Sequence, residues 1–251
     1  MNFLVLKTFA ILAIMLLVTA FASKRNHAFE KKIEFWLLFI GSLILIFVIP
    51  ATSFPINLGL ALVFAFLIGS LIGPGIKALM LSYVTRNILR KQGLSKEQIK
   101  NMSTEELNER ATSVRIEIEQ GNNHPVIKEW NNIFQLALYS TATITIIAGT
   151  LVYALSIDFS FLGQILFVSL LGLIVVGLLN IFFFKSPLMR LVSAYVGAVI
   201  FSLYLLYDFD QLEKSALTGD VSWETAINFA ISIYLDIINL FLDLLEILNS
   251  D

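Results

Sequence analysis

Cysteine is absent from the 251 residues, which excludes disulfides, thiolate chemistry and cysteine metal sites. Histidine is nearly absent: His27 and His124 both lie in polar connecting stretches, so a buried histidine metal centre is not expected. Charge is scarce as well. Charged side chains make up 14% of the chain, against about a quarter in a soluble domain. No internal repeat or low-complexity tract is visible. What fills the chain is apolar: 57% of residues are hydrophobic, 21 are Phe, and the mean hydropathy is +0.82. A chain of this composition is an integral membrane protein, with the lipid bilayer as its first partner and no call for nucleic acid. The last shortage is of bases in the final fifth. There Lys214 stands alone against nine acids, Asp208, Asp210, Glu213, Asp220, Glu224, Asp236, Asp243, Glu246 and Asp251. A segment with that imbalance attracts cations.

A membrane-crossing helix needs roughly 20 apolar residues, and seven stretches qualify: about 2–22, 34–50, 57–85, 132–155, 161–184, 188–214 and 222–248. The expected fold is all-α, a single membrane domain over residues 1–251 built as a bundle of seven transmembrane helices. No cleavage-site pattern follows the first stretch, which therefore reads as a retained helix. Gly73-Pro74-Gly75 should kink or break the third. Lys and Arg sort the connections. Those after the first, third and fifth stretches hold 14 bases, and the opposite ones hold Lys214 alone. This places the amino terminus outside and the carboxyl terminus in the cytosol. Short termini without an organelle signal suit a bacterial plasma membrane.

Residues 86–131 form the one sizeable polar insert, with eight bases and seven acids, and read as a soluble, helical cytosolic elaboration. Ser95-Lys96-Glu97-Gln98 and Ser103-Thr104-Glu105-Glu106 both have the form of capping boxes that open helices. Gly121-Asn122-Asn123-His124-Pro125 is a turn. A docking role for a protein partner is the sharper alternative for this insert.

Polar groups inside apolar helices carry the functional signal. In the seventh stretch Asp236, Asn239, Asp243 and Glu246 recur at intervals of three, four and three, on one helical face. Asp236 lies 13 residues past Trp223, ~20 Å along a helix and well inside a ~30 Å hydrocarbon core. In the sixth stretch Ser193, Gly197, Phe201, Tyr204, Asp208 and Gln211 share a face. Asp210 lies about 200° round from Asp208 and is expected to mark the helix emerging into outer water. A simple hairpin would leave Asp208 and Asp236 several ångströms out of axial register. If they meet, two carboxylates in one low-dielectric site cannot both ionise cheaply, so they share a proton and titrate as a unit. Deprotonated, Asp208 and Asp236 offer a hard-oxygen site suited to Ca²⁺. Of the other embedded groups, Lys7 should snorkel. Thr141, Thr143, Thr145 and Asn180 should serve interhelical packing and hydrogen bonds. Gly69 and Gly73 have the spacing of close helix contact.

The YDFDQ of residues 207–211, followed by AISIYLDIINLFLDLLEIL of residues 230–248, resembles the signature of the Bax inhibitor-1 family. The likeness extends to the stretch ALYSTATITIIAGTLVYALSIDFSFLG and to the number of hydrophobic helices. The resemblance implies a seven-helix membrane fold and a passive, pH-sensitive Ca²⁺ leak, with Asp208 and Asp236 as its di-aspartyl sensor. Asn239, Asp243, Glu246, Tyr204 and Gln211 are then candidates to line the cation pathway. Two departures stand out: Asp210 occupies the place where the motif has Gln, with Gln211 following. The Arg that latches the dyad from the second helix in well-understood members is also missing from FWLLFIGSLILIFVIP. The expected protein is not an enzyme, needs no cofactor beyond Ca²⁺ as the transported ion, and is favoured as a monomer. Two other functions remain open. An intramembrane aspartyl protease also pairs Tyr-Asp with a second Asp, but needs Gly-x-Gly-Asp where Ile233-Tyr234-Leu235-Asp236 stands. A non-transporting regulator of a membrane protease or survival factor would act through residues 86–131.

Overall fold

The computed structural model describes residues 2–24, 32–100, 102, 106, 109, 110, 112, 125–155 and 157–250, and among these residues all regular structure is helical. In chain order the helices are α1 (Phe3–Ser23), α2 (Lys32–Val48), α3 (Ile56–Lys91), α4 (Lys96–Lys100), α5 (Pro125–Leu155), α6 (Leu162–Leu179), α7 (Pro187–Leu217) and α8 (Trp223–Asn249). A 3-10 turn, Ile49–Ala51, extends α2, and a π turn, Asn180–Phe184, extends α6.

Six of these helices are long and apolar enough to cross a membrane: α1, α2 with its 3-10 turn, α3, α5, α6 with its π turn, and α7. The fold is an all-α membrane bundle. α8 has the length, 27 residues, but carries Glu224, Asp236, Asp243 and Glu246. Its position explains how it holds them. α8 runs through the middle of the bundle against α1, α3, α5 and α7, and it buries Ala226, Ala230, Ile233, Tyr234, Leu240 and Leu245. The peripheral helices are the reverse. α6 is apolar on every side and among its described residues buries Leu166 alone, as a helix facing lipid can.

Capping side chains fix where the site-bearing helices begin. Ser186 accepts from the Met189 amide at 3.3 Å with Pro187 at the first helical position, and Ser222 accepts from the Thr225 amide at 3.2 Å. The Asn180 side chain, read from sequence as an interhelical group, instead shapes the α6–α7 corner. Its Oδ1 accepts from the Ser186 amide at 2.8 Å and its Nδ2 donates to the Ser186 carbonyl at 3.2 Å.

Pro74 does not break the third helix: α3 is continuous for 36 residues through it. A proline removes one backbone bond, and here the flanking turns press onto α1. A Cβ on Gly69 would lie 2.5 Å from the Thr19 carbonyl oxygen, and one on Gly73 2.5 Å from that of Ser23. Glycine at both positions lets α3 and α1 touch backbone to backbone, the close contact their spacing predicts. Thr19 extends this junction to α8. Its hydroxyl donates to the Ala65 carbonyl at 3.0 Å and pairs with the buried Tyr234 hydroxyl at 2.6 Å. Thr141 and Thr145, by contrast, donate to their own helix, at the carbonyls of Ala137 (2.8 Å) and Thr141 (2.9 Å), and not to a neighbour. Lys7 is half-buried. It donates to the Val221 carbonyl at 2.5 Å and its ammonium sits 4.5 Å from the centroid of the Trp223 ring, pinning α1 to the α7–α8 connection.

In the insert, α3 and α5 extend into both ends of 86–131 and α4 lies between them. The first capping box forms. The Ser95 amide donates to Gln98 Oε1 at 2.8 Å and the Gln98 amide to Ser95 Oγ at 3.2 Å. The second box and the turn at His124 fall on positions 103–105 and 121–124, outside the described residues, as does His27.

Candidate functional site

α7 and α8 are antiparallel neighbours joined by residues 218–222. Asp208 stands nine residues before the end of α7 and Asp236 thirteen after the start of α8, ~14 and ~20 Å along their axes. The sequence reading ended this helix near residue 214. The structure carries it to Leu217, and those three residues absorb ~4.5 Å of the mismatch. About 6 Å of axial difference is left to the 218–222 connection, and the two acids face each other across the helix pair. The Asp208 carboxyl lies within electrostatic reach of the Asp236 carboxyl and the Ser232 hydroxyl. Both acids are buried, with 5% and 6% of their surfaces exposed, and Oδ2 of each has no hydrogen-bond partner. Among the described residues no basic group is found beside the pair to take the place of the second-helix Arg. The Tyr204 ring lies within electrostatic reach of both acids.

From the dyad a polar seam follows α8 to its carboxyl end. Asn239 is half-buried on it. Asp243 packs on Gly197 of α7, where a Cβ would collide with its carboxylate, and Asp243 Oδ2 has no partner. Glu246 is not a free pathway carboxylate: Arg190 Nε donates to its Oε1 at 2.7 Å. Beyond it, Arg86 Nη2 reaches the Asn249 carbonyl at 3.2 Å. Across the seam α7 presents Arg190, Ser193, Gly197, Phe201, Tyr204 and Asp208 in the order that the antiparallel pairing demands. Sequence reasoning missed the other end. Asn228 and Ser232 continue the α8 face outward by two further steps of four residues, and both are exposed. The spacing of three and four that found Asp243 and Glu246 would have found them had it been run toward the amino end.

Two expectations for the end of α7 are corrected. Asp210 is not a residue emerging into water. It is buried, and Lys214 Nζ donates to its Oδ2 at 2.6 Å. The same ammonium donates to Ser160 Oγ at 2.7 Å and to Asp158 Oδ1, so the α5–α6 connection is strapped onto α7. Gln211 belongs to this clamp and not to the dyad: its Nε2 donates to Ser160 Oγ at 2.9 Å and Asp210 Oδ2 at 3.1 Å. Geometry overrides the helical wheel here, because the connection folds back over the flank of α7 and supplies partners that the helix alone does not show. The Lys214 hydrogen bond, then the Ser160 amide and hydroxyl, draw the exposed Asp158 carboxyl down to about 2.

Among the described residues no group of three or more His, Cys, Asp or Glu is placed to hold a metal ion. Ca²⁺ takes six to eight oxygens, more than two carboxylates and a hydroxyl supply.

The chain's carboxyl-terminal half, residues 128–251, matches the family model described as inhibitor of apoptosis-promoting Bax1. Among curated relatives, an uncharacterized protein of Campylobacter jejuni is 38% identical over 105 residues, which is 41% of this chain and 42% of the relative. Protein LIFEGUARD 4 of Arabidopsis thaliana is 41% identical over 93 residues, 37% of this chain and 36% of the relative. A BI1-like protein of Arabidopsis thaliana is 41% identical over 92 residues, 37% of this chain and 34% of the relative. These alignments span less than half of each relative's length. The matched residues hold α7 and α8, and with them both acids of the dyad and the seam: over this part the chain is similar to the Bax inhibitor-1 family.

Proposed function

We propose that the protein is a passive, pH-sensitive leak for cations, Ca²⁺ first among them, gated by the Asp208–Asp236 pair. The observation that carries this reading is the pair itself: two buried acids on adjacent helices, facing each other with no base between them among the described residues, each with an unpartnered oxygen. Such a pair changes charge by exchanging protons with water. Protonated, it ties α7 to α8; deprotonated, it repels itself and attracts a cation. In this reading α8 is the seventh spanning helix, and ions move along its face past Ser232, Asn239 and Asp243. The host membrane is a bacterial plasma membrane, with the Arg190 end of the bundle in the cytosol. The chain is a monomer, takes Ca²⁺ as cargo and holds no cofactor. It is not an aspartyl protease. Ile233 and Tyr234 ahead of Asp236 are fully buried side chains, where substrate would need to approach bare backbone.

The test is flux from liposomes loaded with Ca²⁺ dye, with purified wild-type protein, Asp208→Asn and Asp236→Asn, across pH 5 to 8. Both variants should lose the pH response. Unchanged flux with an unchanged pH profile in both would overturn the reading.

A further inference from the structure

The seam ends in positive charge. Arg190 comes from the first turn of α7, Arg86 and Arg90 from the end of α3, and Arg86 lies within electrostatic reach of Arg90, Arg190 and Glu246. Arg190 holds Glu246, the last acid of the polar face, through Nε at 2.7 Å. Arg86 holds the carboxyl end of α8 through the Asn249 carbonyl and, at 3.4 Å, its side-chain oxygen. One turn inside this cap, Asp243 Oδ2 is unpartnered against Gly197. A cation that has passed the dyad and Asp243 therefore meets guanidinium groups, and the carboxylate that should receive it is already taken.

We infer that the Arg190–Glu246 ion pair is a second gate, at the opposite end of the seam from Asn228 and Ser232, and that Arg190 sets how fast cations leave. The inference rests on the leak reading. Arginine at a pore mouth raises an electrostatic barrier to cations, and here it also neutralises the exit carboxylate. The gate is weak by construction. The Arg190 side chain is 60% exposed and the Glu246 side chain 15%, and a pair open to water on one side shifts an equilibrium by roughly two- to fivefold. It differs from the dyad in kind: the dyad answers to protons, the pair to ionic strength and to the charge at position 190.

The test uses the full chain in Ca²⁺-dye liposomes at a pH where the wild-type protein conducts. Arg190→Gln should leak about two to five times faster with the midpoint of the pH profile unmoved. Arg190→Lys, which keeps a cation, should stay near the wild-type rate, and the swap Arg190→Glu with Glu246→Arg should return most of the way to it. Rising salt should speed the wild-type protein more than Arg190→Gln. Flux from Arg190→Gln at or below the wild-type rate, or a swap as fast as the Gln variant, overturns the second gate. Failure of the leak reading looks different: wild-type protein with no flux at any pH.

Discussion

Replacing Lys214 by Met removes the cation that accompanies buried Asp210. The side chains are 4% exposed for Asp210 and 40% for Lys214, with 2.6 Å between Nζ and Oδ2. Breaking a fully buried pair costs about 3–5 kcal/mol because a charge is left without compensation, whereas an exposed pair is worth at most ~1 kcal/mol. This pair falls between the two limits. The acid is buried but the ammonium is partly in water, and Asp210 keeps the Gln211 amide at 3.1 Å and the Ser160 hydroxyl at 3.5 Å. The expected loss is about 1.5–3 kcal/mol. The assay is a double-mutant cycle by thermal unfolding in detergent, with Asp210→Asn as the second change. If the loss comes from a stranded charge, Asp210→Asn in the Lys214→Met background should recover at least about half of it. A Lys214→Met variant within ~0.5 kcal/mol of wild type, or losses that simply add, would refute the reasoning. The exposed arm of the clamp gives a pH signature. Asp158 is held at about 2 against an ordinary 3.8, so its contribution is complete above the ordinary value and disappears as pH falls through about 2. The stability difference between wild type and Asp158→Asn should be constant from neutrality down to about pH 4 and shrink below it; a difference that grows on acidification contradicts the assignment.

Three further changes test the packing around the dyad. Gly69→Val places atoms where the Thr19 carbonyl and the Ala22 Cβ already lie. Backbone cannot yield there, so α1 and α3 must part at a cost of about 2–3 kcal/mol, read as a lower melting temperature and loss of a monodisperse chromatographic peak. Tyr234→Phe removes the 2.6 Å hydrogen bond to Thr19, which keeps its bond to Ala65; the loss should be about 1 kcal/mol, and a loss above ~3 kcal/mol would mean that the Tyr hydroxyl has a second role. Gly197→Ala meets only the end of the Asp243 side chain. It should melt within ~1 kcal/mol of wild type while changing cation flux, since the displaced group is the carboxylate on the seam; wild-type flux would remove Asp243 from the pathway.

The parts of the fold legible in the sequence are those fixed by neighbours along the chain. The 3.6-residue period places Asp236, Asn239, Asp243 and Glu246 on one face, and α8 keeps them there. The Ser95 box closes as its spacing requires, and Gly69 and Gly73 sit at a helix contact because nothing else lets two backbones come so near. What the sequence did not reveal depends on residues far away in the chain. Pro74 looks like a break because the helix is considered alone; α1 packed against Gly69 and Gly73 keeps it whole. Glu246 looks free until Arg190, 56 positions earlier, is laid beside it. Gln211 shares a helical face with Asp208, yet Ser160 of the α5–α6 connection draws its amide away.

Asp208 and Asp210 differ in their partners and not in their burial. One residue lies between them, both belong to α7, and they are 5% and 3% exposed. Depth does not tell them apart. Asp210 has its own lysine at 2.6 Å. With Ser160 and Gln211 the pair fastens the α5–α6 connection onto α7. Asp208 faces another acid. Two acids without a base can rid a low-dielectric site of excess charge only by holding a proton, so any change of charge at Asp208 must be a change in protonation. If the leak reading is right, pH sensitivity follows from the sign of the neighbour. An added base beside the dyad, as in Ser232→Lys, should then abolish the pH response while leaving α7 joined to α8. A Ser232→Lys protein that conducts with the wild-type pH profile would show that the dyad is not the sensor.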